Sequence, residues 1–309
     1  MTDIAIFEDF CKENGVYYRR DVSLAGLCTF KIGGNAPLVI EPGGTEQIEA
    51  VMAFMGGKGC TPLVLGKGSN MLFPDHGIDR AVILLGERYS SMRLEDEETI
   101  FCRSGASLIQ LCRFALDKGL SGLEFAYGIP GSVGGAVYMN AGAYGGEMKD
   151  VVLKAFHVDD NGKQGALAGA DIGFGYRESA YTRRRAIITG ALFRLQKGDK
   201  DAIRAKMEDF MARRRDKQPL EFPSAGSTFK RPQGAYASAL IDQCGLKGFS
   251  VGGAQISEKH AGFVINKGGA TCADVRQLMQ TVREIVWEKT GFVLEPEVRM
   301  ADGPALPHE

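Results

Sequence analysis

Apolar positions along the chain fall into two patterns, helical spacing in some stretches and short continuous runs in others. Residues 1 to about 20 read as a short helix with Ile4, Phe7, Phe10 and Cys11 on one face. From Thr45, a plausible N-cap, Ile48, Val51, Met52 and Met55 repeat at helical spacing, and Gly56 and Gly57 end the pattern. Residues 62–65 and 81–85 are short apolar runs that read as buried strands. Ser107 is placed to cap a second helix carrying Leu108, Leu111, Cys112, Ala115 and Leu116, closed by Gly119. Further strands are expected over residues 151–158 and 186–195, so residues 21–195 read as a mixed α/β unit.

Beyond residue 195 the texture changes. Residues 199–215 form a strongly charged helical stretch, and residues 218–226 a proline-containing loop. A helix is expected near Tyr236, a strand over 262–266, a long amphipathic helix over 274–289 and a last strand near 297–300. A boundary near 195–200 divides the chain into residues 1–195 and 196–309. No internal repeat is visible.

Composition narrows the function. With 44% hydrophobic and 24% charged residues the chain is foldable rather than disordered, and a net charge of −1 gives no basic field for nucleic acid or an anionic membrane. The apolar runs, such as 81–85, fall far short of the ~18–20 residues a bilayer span needs. The first fourteen residues carry Asp3, Glu8 and Asp9 and lack a basic segment before an apolar core, so no signal peptide is expected and the chain reads as cytoplasmic. No obligate protein partner is evident. The seven cysteines (Cys11, Cys28, Cys60, Cys102, Cys112, Cys244, Cys272) form no C-x-x-C pair, and His76, His157, His260 and His308 show no ligand spacing. These facts argue for reduced thiols and against a metal site.

Glycine changes the picture most. The chain has 41 glycines, about 13% against a usual share of about 7%, without a three-residue period. Residues 65–72 (Leu-Gly-Lys-Gly-Ser-Asn-Met-Leu) follow an expected strand and offer backbone donors suited to phosphate. The dinucleotide pattern G-x-G-x-x-G fails at Met71, where no helix opens, and the Walker A pattern fails as well. Residues 128–146 hold seven glycines in nineteen positions, interleaved with Ile129, Val133, Val137 and Met139. Such a segment suits a backbone wrapped along an extended ligand. A third cluster, residues 223–232 (Pro-Ser-Ala-Gly-Ser-Thr-Phe-Lys-Arg-Pro), places hydroxyls beside cations and follows Arg213, Arg214, Arg215 and Lys217. The basic run reads either as a solvated helix face or as cations for a diphosphate. Ser227 by itself reads as a turn serine and lacks the G-x-S-x-G frame of a hydrolase nucleophile.

Taken together the motifs closely resemble those of the UDP-N-acetylenolpyruvoylglucosamine reductases (UDP-N-acetylmuramate dehydrogenases) of peptidoglycan synthesis. The matching segments are residues 29–35 (Thr-Phe-Lys-Ile-Gly-Gly-Asn), 65–72, 128–146, 176–179 (Tyr-Arg-Glu-Ser), 224–232 and 294–299 (Leu-Glu-Pro-Glu-Val-Arg), in family order across nearly the whole chain. Spacing and length resemble the shorter subclass, which lacks a substrate-capping tyrosine loop. The resemblance implies an α+β protein in which a vanillyl-alcohol-oxidase-like (PCMH-type) FAD-binding domain precedes a smaller C-terminal substrate domain. It also implies a non-covalent FAD, NADPH as reductant and a UDP-sugar substrate whose enolpyruvyl group is reduced.

Carried over position by position, Ser227 resembles the general acid, and Arg177 and Glu297 its catalytic partners. FAD contacts are implied at Gly33, Gly34, Asn35, Gly66, Gly68, Ser69 and Asn70, and again at Gly128, Pro130, Gly131, Ser132, Gly134, Gly135, Asn140, Ala141 and Gly142. Lys217 and Arg231 are candidates for the substrate diphosphate, with His260 and Asn266 as further substrate contacts. Neither His76 nor His157 sits in a motif for covalent flavin attachment. Two other readings compete: a sugar or lactone flavin oxidase of the same fold, which would release hydrogen peroxide and need no Ser227, and a silent nucleotide-sugar-binding protein.

Overall fold

A computed structural model describes residues 4–302. Three sheets of four or five strands, three two-stranded pairs and seven α-helices make up the described residues. A four-stranded sheet runs Tyr17–Ser23, Asn35–Glu41, Val82–Leu84, Leu63–Leu65, with its last three strands parallel. A five-stranded antiparallel sheet runs Gln164–Ala168, Val152–Asp159, Ala186–Arg194, Thr99–Arg103, Met92–Leu94. A third, also antiparallel, runs Ser224–Ser227, Phe263–Asn266, Ala254–Ile256, Ser250–Val251. The helices are α1 (Ile4–Glu13), α2 (Thr45–Gly57), α3 (Leu108–Asp117), α4 (Val133–Tyr138), α5 (Lys200–Lys217), α6 (Ala237–Gln243) and α7 (Cys272–Thr290).

The two-residue period of a strand explains how the sheets share cores. In the first sheet Leu38, Ile40 and Ile83 face α1 and α2, packing on Phe7, Ile48, Val51 and Met55. The alternate residues Val39 and Val82 face the other way, into a core with Val264 of the third sheet and Val275, Leu278 and Val282 of α7. A strand buried on both faces has no polar alternation, which is why the run 81–85 reads as continuously apolar. Arg299–Met300 then pairs in parallel with Met71–Leu72, bringing the chain's end beside the loop at 66–70. The second sheet has a separate core with α3, α4 and α5. Helix α5 lies past the expected boundary at 195–200, yet its Ile203, Met207 and Phe210 pack on this core.

Local signals account for most ends. Ser107 forms a full capping box with Gln110, Asp199 caps α5, and Gly119 turns the chain left-handed after α3. Differences from expectation have local causes. The first helix stops at Glu13 because Gly15 turns left-handed (φ +62°), and the chain continues as the strand Tyr17–Ser23 rather than as helix to residue 20. Residues 1–3 of that expected helix, and His308, lie outside the described residues. Thr45 is not the cap of α2. Gly44 takes that place, and the Thr45 hydroxyl bonds the Tyr89 phenol at 2.7 Å. The expected loop 218–226 ends in the strand Ser224–Ser227, and α7 begins two residues early, capped by Thr271.

Candidate active site

Two clefts meet where the three sheets approach one another. The smaller, about 660 Å³, lies between the loop 66–70 and the turn 131–135. Leu63–Leu65 delivers the loop, and Gly68 (φ +59°) folds it against the chain at Leu27 and Cys28. Opposite, Ser132 caps α4 by accepting from the Gly135 amide at 3.3 Å, and the Gly134 amide donates to the Ser104 carbonyl at 2.8 Å. A Cβ on Gly66 would collide with the Ser132 hydroxyl, and one on Gly134 would come within 2.8 Å of the Ser104 side chain. The glycines therefore let two loops and a strand end approach without side chains filling the gap.

The donor set of this cleft fits FAD. Ser104 is 1% exposed and its hydroxyl has no partner within the protein, while the residue lines the cleft. Native structures rarely leave such a group orphaned, so a ligand acceptor is the expected partner. Lys67, Arg80, Arg184 and Arg299 line the same cleft and supply positive charge for a pyrophosphate, and the apolar Met52, Leu65, Leu85 and Ile187 flank them.

The larger cleft, about 1140 Å³, runs between Tyr17, Arg19 and Arg88 on one side and residues 218–227 on the other. Arg177 and Glu297 line both clefts; Ser227 lines the larger. Arg177 sits in a tight turn, bridged between Gly175 and Glu178, with its backbone left-handed (φ +59°). A side-chain-bearing residue pays for that conformation, roughly 1–2 kcal/mol, and the turn is held from outside. Asn140 donates to the Gly175 carbonyl at 3.0 Å, and the Ser179 hydroxyl donates to the Tyr138 carbonyl at 2.7 Å. Arg177 Nε lies 2.7 Å from Glu297 Oε1, a close ion pair. Burial pushes the Glu297 carboxyl above the usual carboxylate range, with Arg177 opposing that rise only in part. The Glu297 amide donates to the Thr228 carbonyl at 2.8 Å, which ties it to the residue after Ser227.

The structure therefore brings Ser227, Arg177 and Glu297 together, and with them Gly66, Ser69, Asn70, Pro130, Ala141 and Gly142 as cleft-lining residues. Gly68, Gly131, Ser132, Gly134 and Gly135 line the smaller cleft alone. Five other residues expected at the cofactor line neither cleft. Gly33 and Gly34 lie tight against Phe73 and residues 75–77, and Gly77 in turn packs on Asn35. Gly128 (φ +89°) makes room for Met211 and Arg214 of α5. The Asn140 amide is spent on Glu147, Gly175 and the Lys149 amide.

The four expected substrate contacts also line neither cleft. Lys217 is exposed at the end of α5, and Arg231 stacks at 4.2 Å over the Tyr236 ring. The His260 ring accepts from the Gly262 amide at 3.1 Å. Asn266 is buried and donates to the Phe30 carbonyl while accepting from the Gly268 and Ala270 amides. The cation of the basic run that does face the larger cleft is Arg214. Its signal was in the sequence: Ile203, Met207, Phe210 and Arg214 are spaced four, three and four apart, on one helical face. Ser104 carried no such signal.

Fold and site define an FAD-binding protein with an appended C-terminal domain. Residues 36–167 match the family model described as FAD binding domain, and residues 218–301 match that of the UDP-N-acetylenolpyruvoylglucosamine reductase C-terminal domain. The chain is 43% identical over 295 residues to the UDP-N-acetylenolpyruvoylglucosamine reductase of Caldicellulosiruptor bescii, covering 95% of this chain and 93% of that one. It is 43% identical to that of Clostridium novyi, covering 91% of each. The crystal structure of the Thermus caldophilus reductase superposes with a TM-score of 0.76 at 34% identity, covering 92% of this chain and 98% of that one. The chain belongs to the UDP-N-acetylenolpyruvoylglucosamine reductase family. The α+β architecture expected from the resemblance, an FAD-binding domain followed by a C-terminal domain, holds. No described helix is long and apolar enough to cross a membrane, and no described group of histidine, cysteine and acidic side chains could hold a metal.

Proposed function

We propose that the protein is an NADPH-dependent flavoenzyme that reduces the enolpyruvyl group of UDP-N-acetylglucosamine enolpyruvate to UDP-N-acetylmuramate, a cytoplasmic step toward peptidoglycan. FAD, bound without a covalent bond in the smaller cleft, supplies the hydride for the alkene. Non-covalent binding follows the family resemblance, in which neither His76 nor His157 sits in an attachment motif. The FAD contacts proposed are Gly66, Gly68, Ser69, Asn70, Pro130, Gly131, Ser132, Gly134, Gly135, Ala141 and Gly142. In this reading residues 1–195 carry the cofactor and 196–309 the substrate, with α5 as the arm between them.

One observation supports the proposal: Arg177 and Glu297 line both clefts, and Ser227, from a third distant segment, lines the larger one with them. Arg177 orients the substrate carboxylate and stabilises the negative charge that builds beside it. Glu297, its proton retained more readily than an ordinary carboxyl's because of burial, shares that charge through a hydrogen bond. Ser227 Oγ gives its proton to the alkene carbon that does not receive hydride, so one hydride and one proton add across the double bond. An alcohol is a weak acid, yet a carbanion-like centre is basic enough to take its proton.

Stopped-flow absorbance tests the assignment. Ser227→Ala should retain FAD and be reduced by NADPH at the wild-type rate, while reoxidation by the enolpyruvyl substrate falls by about 10²–10⁴-fold. Ser227→Cys, with a more acidic proton, should retain more activity than alanine. Reoxidation of Ser227→Ala at the wild-type rate would return Ser227 to an ordinary turn serine.

A further inference from the structure

The basic run at the end of α5 contains a cation in an unusual position. Arg213 reaches back one turn to Asp209 at 2.8 Å, an ordinary exposed pair. Arg214 is 7% exposed, yet among the described residues it pairs with no carboxylate. Its guanidinium bonds the Tyr144 hydroxyl and makes a long contact, 3.4 Å, from Nη1 to the Gln218 amide oxygen, both neutral partners, and its Nε has no acceptor at all. The Tyr144 ring centroid lies 6.0 Å from the guanidinium. Both Arg214 and Gln218 line the larger cleft, on the wall formed by α5 and the loop after it.

A buried cation without a counter-charge destabilises the protein that carries it. The negative end of the α5 dipole favours basic residues in the last turn. That account serves the exposed Arg215 and Lys217 equally and does not explain why Arg214 is buried with an unused donor. Its position is held from behind: Gly128, at φ +89°, would place a Cβ 3.4 Å from Arg214 Cδ and 2.8 Å from Met211 Cε, so the absent side chain lets the stem lie flat. The planar fork, unlike an ammonium, suits two adjacent oxygens of a phosphate.

We propose that Arg214, with Gln218, is the anion-binding element of the larger cleft and grips the pyrophosphate linkage of a nucleotide ligand there. The chemistry is common to two ligands of the proposed function, the UDP-sugar and NADPH, and the inference rests on that reading. It gives Arg214 Nε the acceptor it lacks, on a cleft wall that neither Lys217 nor Arg231 lines.

The test titrates FAD-loaded protein with UDP, UMP and NADP⁺, reading affinity by calorimetry. Wild type should bind UDP more tightly than UMP, and Arg214→Gln should weaken UDP on the order of 10- to 100-fold and UMP less. Arg214→Lys, which keeps the charge without the fork, should fall between. Loss confined to UDP assigns the linkage to the sugar nucleotide, loss confined to NADP⁺ assigns it to the reductant, and loss of both means one cleft serves both. Removal of an unpaired buried charge should also leave the melting temperature of Arg214→Gln no lower than that of wild type. Unchanged affinity for both UDP and NADP⁺ in Arg214→Gln and Arg214→Lys, with a lower melting temperature, overturns the inference and makes the guanidinium a packing element. Wild-type protein that binds neither ligand overturns the proposed function itself.

Discussion

The side-chain amide of Asn70 donates to the backbone carbonyl of Glu297 at 3.0 Å, across 227 residues of sequence. The Asn70 carbonyl accepts in turn from the Arg299 amide at 3.0 Å. A residue of the glycine-rich loop at the smaller cleft thus fixes the backbone of Glu297, the carboxylate proposed to act beside Arg177. Asn70→Ala should lower stability by about 0.5–1.5 kcal/mol, the worth of one such bond. It should slow flavin reoxidation by the enolpyruvyl substrate more than reduction by NADPH. Equal slowing of both steps would point to general loosening instead.

Glu297 sets a pH signature. Burial raises its carboxyl pKa in the folded protein above the ordinary ~4.3 of the unfolded chain. Folding therefore favours the protonated form, and this contribution is full below the unfolded value and lost as pH rises through the folded one. Glu297→Gln has no such loss. Its melting temperature should gain on wild type steadily from about pH 4 upward, measured by thermal melts across pH, while its catalytic rate falls. A difference that is flat with pH would mean that Arg177 cancels the burial.

Ser104→Ala should separate cofactor affinity from fold stability. Without FAD the change removes an unsatisfied buried hydroxyl and should leave the melting temperature of the apoprotein equal or slightly higher. With FAD it removes a donor, and the dissociation constant, followed by flavin fluorescence, should rise about 5- to 10-fold, near 1 kcal/mol. No change in FAD affinity would mean that the hydroxyl does not face the cofactor.

Gly66→Ala should be poorly tolerated, because its Cβ falls on the Ser132 hydroxyl that caps α4. Overpacking of this kind costs about 1–3 kcal/mol and should release FAD. Adding Ser132→Ala removes the colliding oxygen, so the double variant should recover part of the lost affinity. Strictly additive losses in that cycle would place the damage elsewhere.

His157 should make the fold acid-sensitive. Its Nδ1 lies 3.0 Å from the Tyr181 hydroxyl, which itself donates to the Ala155 carbonyl at 3.1 Å, so the phenol accepts from a neutral ring protonated at Nδ1. Burial, and then Arg184, lower the His157 pKa below the ordinary ~6.5. Its contribution is full above that unfolded value and is lost as pH falls toward the folded one. His157→Gln should flatten the fall in melting temperature below about pH 6.5; an unchanged slope would assign acid sensitivity to other groups.

What the sequence determined by itself was local. Helices α2, α3 and α7 follow from apolar spacing and α5 from its charged helical stretch, and the ends of α3 from Ser107 and Gly119, because caps and turns are settled within four or five residues of chain. The resemblance carried Ser227, Arg177 and Glu297 as a set, since motifs persist in order along a chain. Only the tertiary structure decided which glycines line a cleft. Gly66 and Gly134 border a cleft while Gly33, Gly34 and Gly128 serve packing, a difference fixed by the chain segment that crosses each one. The same holds for the basic run. Lys217 and Arg214 are three residues apart and both cationic, but Arg214 is packed beside Gly128 and buried against the cleft, whereas Lys217, the last residue of α5, is exposed. Which residue meets a ligand depends on long-range packing, and that has no counterpart in local sequence.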